Sequence, residues 1–579
     1  MLILGLHIGH NASAFLVRDG DVLGGLSQEK CDGIKNSADF PAEATKAILA
    51  QEGLKTSDVD QVAISGTQVL PRYCYDYLFS NKPTDGRKSS TLKDIAKRLE
   101  SALPQGLSNA IFGPLRARRV KAQLAEGRAE LAQNLVAIGL GDTPRTHIDH
   151  HTCHARAAYH SLGGKGEALI FTADGSGDGV SATVTEVGND GIWTRLGTTG
   201  QEASVGGIYS ATTRFLGMKP LEHEYKVMGL APYAKGYADD IYERAFAPVL
   251  KVSATNPYEF ETQFDTRLFY EHLCAVAVGE RFDNLAAAAQ RLIEERVIEW
   301  VERTVAKSGK RVAYFGGGLF MNVKLNKRIQ ELDCLDQVGF MPSCGDESNA
   351  LGAAFDVAQQ LNKINQLSNL YLGLAFTDDE VKTALKSYDF SYTRPDNMNE
   401  TVAELLADGH VVARFAGGNE WGARSLGNRA ILAHPGRMES FYTVNDQIKC
   451  RDFWMPFAPS VLDSAADQYL EGWSMDRTPA PFMITAFQST EMGREKLVAA
   501  LHRGDGTLRP QVLTEDANPD YYDLIKRFEA KTGTGAVLNT SLNRHGHPLA
   551  ATPEQALDTL VHSGLQYLAI GSFLVKKKA

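Results

Sequence analysis

Residues 147–162, HIDHHTCHARAAYHSL, concentrate side chains that bind metals and move protons. His150 and His154 stand at i and i+4, so on a helix they share one face. Two neutral imidazoles on one face are half of a metal site. Asp149 precedes the pair and can cap the helix. Such a pair alone is more often structural, and His147, His151 and His160 compete with it. First-row metals also need oxygen ligands. Two glycine-rich turns offer them: Asp174 or Asp178 in TADGSGDG, and Asp346 in SCGDESNALG. Each turn follows a predicted strand, where a carboxylate can project into a cleft. A His/His/Asp/Asp set suits Fe(II), Mn(II) or Zn(II). DGSGDG also resembles a calcium loop, but the downstream Glu of such loops is missing.

The same turns admit a phosphate chemistry. Backbone N–H groups in glycine-rich turns, or at a following helix N-terminus, bind anions. GHNAS at 9–13, ADGSGDG at 173–179 and GGGLFMN at 316–322 each end a predicted strand. Three such turns in this order are what a two-lobed actin/sugar-kinase/Hsp70-like nucleotide fold requires. No GxxxxGK[ST] occurs, which argues against a P-loop.

The elements that must position these residues follow from the apolar pattern. Residues 1–30 read strand, turn, strand, a β-hairpin. Residues 43–54 read as helix and 60–66 as strand. EALIFTADGSGDGVSATVTEVG repeats the opening pattern, so one large domain with two similar halves is expected. RVAYFGGGLFMNVKLN and GFMPSCGDESNALGAAFDVAQQL each read strand, turn, helix. Residues 363–378 read as a connector, and a second α/β unit begins near 380. The expected domains are 1–370 and 380–579. Residues 87–135 form a polar, basic helical stretch, read first as a solvated insertion and second as a lid over an anionic ligand.

Composition excludes several classes. The 579 residues carry 60 Lys+Arg and 70 Asp+Glu, a net charge of −10, which disfavours general nucleic-acid binding. The seven cysteines are scattered without a CxxC pair, so a disulfide framework and a zinc ribbon are not expected and a reducing cytoplasm is. The apolar start lacks a basic n-region and a small-residue cleavage site, and no apolar run approaches a membrane span.

LEHEYKVMGLAPYAKG resembles the EYKVMGLAPYG signature of the NodU/CmcH-type O-carbamoyltransferases, which include the nodulation-factor, cephem and tobramycin enzymes. The resemblance covers essentially the whole chain. HHTCHA, FGGGLFMNVKLN and CGDESNALGAA match family blocks in order. So do GGNEWGARSLGNRAILAHP, VNDQIKCRDFWMPFAPSVL, HRGDGTLRPQ and VLNTSLNRHGHPL. The chain departs from the usual pattern at Asn11, Lys30, Trp421, Ala423, Ser425 and Met455.

The resemblance implies an α/β chain with a two-lobed actin/sugar-kinase-like (Kae1-like) N-terminal domain and a YrdC-like C-terminal domain. It implies that carbamoyl phosphate and ATP (with Mg) give carbamoyl adenylate in the C-terminal domain. The carbamoyl group then passes to a hydroxylated small molecule, expected to belong to secondary-metabolite (antibiotic) biosynthesis, in the N-terminal domain. It implies His150, His154, Asp174 and Asp346 as ligands of iron, Fe(II) or another divalent metal. Gly175, Gly177, Gly316, Gly317, Gly318 and Asn322 fall on the adenylate side. Arg424, Lys449, Arg451, Arg509, Asn539, Ser541 and Asn543 are expected to bind carbamoyl phosphate and ATP, since Arg forks and Lys charges suit phosphate. Arg429, followed by an apolar strand, is read as a salt-bridge residue. His10, His151 and Lys226 are the catalytic candidates, the two histidines as bases for the acceptor hydroxyl. Assembly is open, a homodimer being one option. The competing readings are a threonylcarbamoyl-type tRNA-modifying transferase and a non-catalytic ATP-binding protein of the actin/Hsp70 kind.

Overall fold

The structure, a computed structural model, describes residues 1–78, 105–234, 236, 238–359 and 364–578. The chain opens with three antiparallel strands, β1 (Leu2–His7), β2 (Ser13–Arg18) and β3 (Asp21–Ser27). Asp19 and Gly20, both at positive φ, form the two-residue turn between the last two. β4 (Gln61–Ser65) and β5 (Arg145–Ile148) add parallel to β1, giving a five-stranded sheet of order β3-β2-β1-β4-β5.

The second sheet repeats this plan. β6 (Ala168–Gly177), β7 (Val180–Val187) and β8 (Trp193–Gly200) form the antiparallel meander. A short ribbon of β9 (Lys251–Val252) and β10 (Phe260–Glu261) intervenes. β11 (Val312–Gly316) then lies parallel to β6, and β12 (Gln337–Phe340) parallel to β11. The order β12-β11-β6-β7-β8 is that of the first sheet read from the other edge. The two similar halves expected from the sequence are therefore present as two lobes of one topology.

The lobes exchange helices. His150–Ser161 follows β5 yet packs on β6 and β11, and Asn349–Ala358 follows β12 yet packs on β1 and β4. The two helices also pack on each other. Asn349–Ala358 (NALGAAFDVA) is built largely of small residues, so the backbones approach closely. A Cβ on Gly352 would lie 1.9 Å from the Cys153 carbonyl oxygen, which no rotamer change relieves. Gly352→Ala is therefore expected to destabilise the chain by about 3 kcal/mol, checked by urea unfolding.

The C-terminal unit is a mixed eight-stranded sheet. Its strands are β13 (Ser391–Thr393), β14 (Val412–Phe415), β15 (Arg429–Ala433), β16 (Ala458–Leu462), β19 (Gln511–Leu513), β20 (Ala536–Ser541), β21 (Tyr567–Ile570) and β22 (Phe573–Lys576). Their order is β13-β22-β21-β14-β15-β20-β16-β19, and β17 (Phe487–Gln488) with β18 (Thr507–Leu508) forms a separate ribbon. Both faces are covered. Helices Met398–Ala407 and Pro519–Thr532 bury Leu406 and Phe528 on one side, and Asp378–Leu385 and Pro553–Val561 bury Val381 and Leu557 on the other. The buried runs of β15 and β16 reflect that two-sided cover.

Within the basic stretch, helix Gln105–Ala137 sends Leu131 and Leu135 into the first lobe's core and is exposed over 117–122, as a solvated insertion is. Residues 87–104 of that stretch lie outside the described residues. No helix among the described residues is long and apolar enough to cross a membrane.

Candidate metal and anion sites

The helix exchange brings the metal candidates together. His150 and His154 lie in the first turns of one exchanged helix, with Asp149 capping it through Thr152 N–H at 2.8 Å. Asp346 sits in the tight turn that leads into the other exchanged helix. Asp174 projects from a bulge in β6, where the register shifts between Ala173 and Gly177. A bulge re-aims a side chain out of its ladder. One ligand atom from each of the four lies within 4.8 Å of the others. The His150 and His154 Nε2 atoms are 3.2 Å apart, and each lies 3.3 Å from Asp346 Oδ1. His154 Nε2 is 3.2 Å from Asp174 Oδ2.

This set fits a divalent cation. Asp346 Oδ1 is buried and has no hydrogen-bond partner, and two imidazole nitrogens face each other across a gap that only a proton or a metal can bridge. Burial pushes the His150 pKa down, but Asp346 and Asp174 outweigh it and raise it well above the ordinary imidazole value. Burial raises the Asp346 pKa, yet His150 and His10 hold it well below the usual carboxylate range. The second nitrogens are also engaged. His154 Nδ1 lies 3.3 Å from Ser348 Oγ, and Asn349 Nδ2 is 3.4 Å from His150 Nδ1. Such outer contacts fix ring orientation.

Asp178 is elsewhere. Its carboxylate accepts from the N–H groups of Thr67, Gln68 and His150, tying the β6–β7 turn to the first lobe. His151 is also turned away. It is fully buried, with Nδ1 2.8 Å from Thr172 Oγ1 and Nε2 3.0 Å from the Val180 carbonyl, so its position corrects the expectation of a base. His10 remains half-buried at the cluster's rim, its Nδ1 3.4 Å from Asp346 Oδ2. His7, the last residue of β1, stands beside it, its Nε2 3.8 Å from Asp346 Oδ2. His7 Nδ1 is 2.6 Å from Ser65 Oγ, and burial lowers its pKa to about 4.

The glycines divide. A Cβ on Gly177 would fall 2.2 Å from the His150 ring, one on Gly316 2.9 Å from the His154 carbonyl, and one on Gly318 3.0 Å from Asp174 Oδ1. Gly317, at φ +97°, would place its Cβ 2.3 Å from the Ala173 carbonyl. These four permit the turns to close around the ligands. Of the five candidate glycines, Gly175 alone faces open space. Asn322 is a structural residue: its Oδ1 caps helix Val323–Gln330 and its amide pairs with Gln290.

The C-terminal candidates converge on a second cluster. Arg424, Arg451 and Arg509 each have a buried Nε without a partner, and none forms an ion pair among the described residues. Burial lowers the Arg509 pKa first, then the charges of Arg424 and Arg451, so the three like charges act on one another. Lys449, wholly buried, donates to the Ser541 Oγ (3.2 Å) and to the Asn543 carbonyl (2.9 Å). Asn539, on β20, has its amide donating to the Ser425 carbonyl and to Ser460 Oγ, which braces the loop that carries Arg424. Arg429 is structural, but through carbonyls of Ala416, Gly417 and Leu374 and the ring of Phe415 rather than a salt bridge.

The N-terminal half completes this cluster. Lys226 Nζ is 3.1 Å from Asp452 Oδ2. Lys35 stands over the Tyr225 ring at 5.9 Å, and after burial and Arg451 it is the next cause that lowers the Lys449 pKa. His545 is lowered by burial and then by Lys226, Arg451, Lys35 and Lys449. Lys35, Tyr225 and His545 were missed as site residues, although the last two lie in matched blocks. Cys344 and Glu347, which flank Asp346, both act on Arg424, so the two clusters meet at the Asp346 turn.

The family descriptions Carbamoyltransferase N-terminus and Carbamoyltransferase C-terminus match residues 2–355 and 403–577. Nodulation protein NolNO of Sinorhizobium fredii is 27% identical over 98% of this chain and 79% of its own. An uncharacterised protein of Methanocaldococcus jannaschii is 26% identical over 100% of both chains. Nodulation protein NolO of Bradyrhizobium diazoefficiens is 29% identical over 74% of this chain and 79% of its own. Among solved structures, the activator of the 2-hydroxyisocaproyl-CoA dehydratase from Clostridium difficile overlaps 62% of this chain and 96% of its own at 14% identity, with a TM-score of 0.33, too loose a likeness to argue from. On the family matches, which span most of the sequence, the chain belongs to the carbamoyltransferase family and is a carbamoyltransferase.

Proposed function

We propose that this chain is an ATP-dependent O-carbamoyltransferase acting on a hydroxylated small molecule, with activation in residues 380–579 and transfer in residues 1–370. In the first step water and carbamoyl phosphate give carbamate and phosphate. Carbamate oxygen then attacks the α-phosphorus of ATP, forming carbamoyl adenylate and releasing pyrophosphate. In the second step the acceptor oxygen attacks the carbamoyl carbon, the bond to AMP breaks, and the acceptor proton leaves to a base.

The observation that carries this reading is the anion site itself. Arg424, Lys449, Arg451 and Arg509 act on one another without an ion-pair partner among the described residues, beside the turn that bears Asp346. Unpaired buried cations are costly until polyanions neutralise them. ATP and carbamoyl phosphate are such polyanions, and Ser541 and Asn543 offer neutral groups for a carbamoyl amide. Lys226 adds charge from the transfer side. His10 is assigned as the base, because it is the one catalytic candidate that is half-exposed at the metal cluster. A divalent cation on His150, His154, Asp174 and Asp346, Fe(II) by family resemblance, would supply positive charge to the adenylate's oxygens. The free cysteines and the lack of a membrane-crossing helix among the described residues agree with a cytoplasmic enzyme.

Carbamoyl phosphate is expected to stimulate formation of pyrophosphate and AMP from ATP. Mass spectrometry against a panel of hydroxylated metabolites is expected to find one that gains a carbamoyl group. If carbamoyl phosphate leaves pyrophosphate formation unchanged, the reading fails.

A further inference from the structure

Helix Glu224–Leu230 is tied to both clusters. At its start, Glu224 Oε1 accepts from Ser210 Oγ and from Leu221 N–H, both at 2.7 Å. Leu221 adopts φ +63° to make that contact, a conformation costly for a branched side chain and kept only where the surroundings enforce it. Glu224 also feels the charge of His10, which places this end on the transfer side.

The other end is held by the C-terminal unit. Trp454 Nε1 donates to the Lys226 carbonyl at 3.2 Å. His502 Nε2 lies 2.8 Å from the Gly229 carbonyl. A carbonyl only accepts, so Nε2 carries the proton. The last carbonyls of a helix lack intrahelical donors, and His502 supplies one. His502 is itself fixed: its Nδ1 lies 3.2 Å from Gly504 N and 3.1 Å from Asp505 Oδ1, and Asp505 pairs with Lys324 of the N-terminal half. Packing is close as well, since a Cβ on Gly229 would meet Met455 Sδ and Trp454 O at 3.5 Å.

Both donors sit on segments that carry the anion site. Trp454 follows Lys449 and Arg451 in one loop, and His502 precedes Arg509 on the segment containing β18. One short helix is thus bonded to both arginine-bearing segments, at Lys226 and at Gly229, while its first residue, Glu224, feels the charge of His10.

Resting on the two-step reading above, we infer that Trp454 and His502 are positioning residues that clamp the activation unit onto helix Glu224–Leu230, so that carbamoyl adenylate is kept from water until an acceptor takes it. Neither residue touches the reacting groups. Their loss leaves activation intact and opens a leak in which water attacks the carbamoyl carbon, giving carbamate and AMP.

The test needs no acceptor. Enzyme is mixed with ATP, carbamoyl phosphate and Mg, and pyrophosphate and AMP are followed in time. The wild type is expected to release a burst of pyrophosphate close to the enzyme concentration, then AMP slowly. Trp454→Phe keeps the ring and removes the N–H, and His502→Ala removes the second donor. Each is expected to keep the burst and to speed the later AMP release about tenfold, the effect of one well-placed hydrogen bond. His502→Gln, whose amide can still donate, is expected to restore the slow rate. Unchanged AMP release behind a full burst overturns the clamp. So does a burst that shrinks with the slow rate unmoved, which marks a merely structural loss. Absence of the wild-type burst overturns the two-step reading instead.

Discussion

His154→Ala is expected to empty the metal site and to cut carbamoyl transfer by about 100-fold or more, beyond what loss of an outer contact costs, while the pyrophosphate burst persists. The reason is geometric. His154 Nε2 is the atom closest to all the others, 3.2 Å from His150 and Asp174 and 3.3 Å from Asp346. Its removal leaves two carboxylates facing one imidazole in a buried cluster. Asp346→Asn should behave alike, because it removes the carboxylate charge that faces both imidazoles. Gly177→Ala offers a milder arm: its Cβ would displace the His150 ring by contact at 2.2 Å without deleting a ligand, and a loss of about tenfold in metal affinity is expected. Elemental analysis of the purified protein reads occupancy, and the burst reads activation. Full metal content and transfer in His154→Ala would remove the metal assignment. Loss of the burst together with transfer would show that the two steps do not divide between the two units.

Much of this site was legible because helical periodicity is a local rule. The i, i+4 spacing of His150 and His154 and the cap at Asp149 required nothing beyond residues 147–162, and the structure has all three. His151 was offered as a base beside that pair, and sequence alone could not show both of its nitrogens taken by Thr172 and Val180. The choice between Asp174 and Asp178 was beyond local reasoning. It depends on a β-bulge that turns Asp174 inward and on first-lobe N–H groups that occupy Asp178. Asn322 was misread for a similar reason: a Gly-Gly-Gly turn followed by Asn suits a ligand or a helix cap, and the cap won. The repeated strand order was visible as a repeated apolar pattern. The exchange of helices between lobes was not, because packing partners are non-local, and that exchange is what unites His150 with Asp346. Lys35 reaches the anion site from a distant segment for the same reason.

The anion site yields the second large effect, with an inverse consequence for stability. Arg509→Ala is expected to reduce carbamoyl phosphate-dependent pyrophosphate formation by about 1000-fold, in line with removing a charge from a desolvated, charge-paired complex. Yet the ligand-free variant should melt a few degrees higher than the wild type. In the free protein the charges of Arg424 and Arg451 act on Arg509, whose Nε is buried and unpaired, so it contributes repulsion and desolvation rather than stability. The site is stabilised only when an anion arrives. Inorganic phosphate should therefore raise the wild-type Tm in proportion to binding and raise that of Arg509→Ala much less. Lys449→Met separates the two contributions. Lys449 is held by Ser541 and Asn543, so its replacement should abolish activation and also lower the Tm, because those oxygens lose their donor. Thermal melts of the three proteins with and without phosphate decide the matter. If Arg509→Ala melts lower without ligand and gains as much from phosphate as the wild type, Arg509 is a structural residue and the anion site must be drawn without it. If it melts higher and loses the phosphate shift, the arginine cluster is held together against its own charge for the sake of the polyanions it binds.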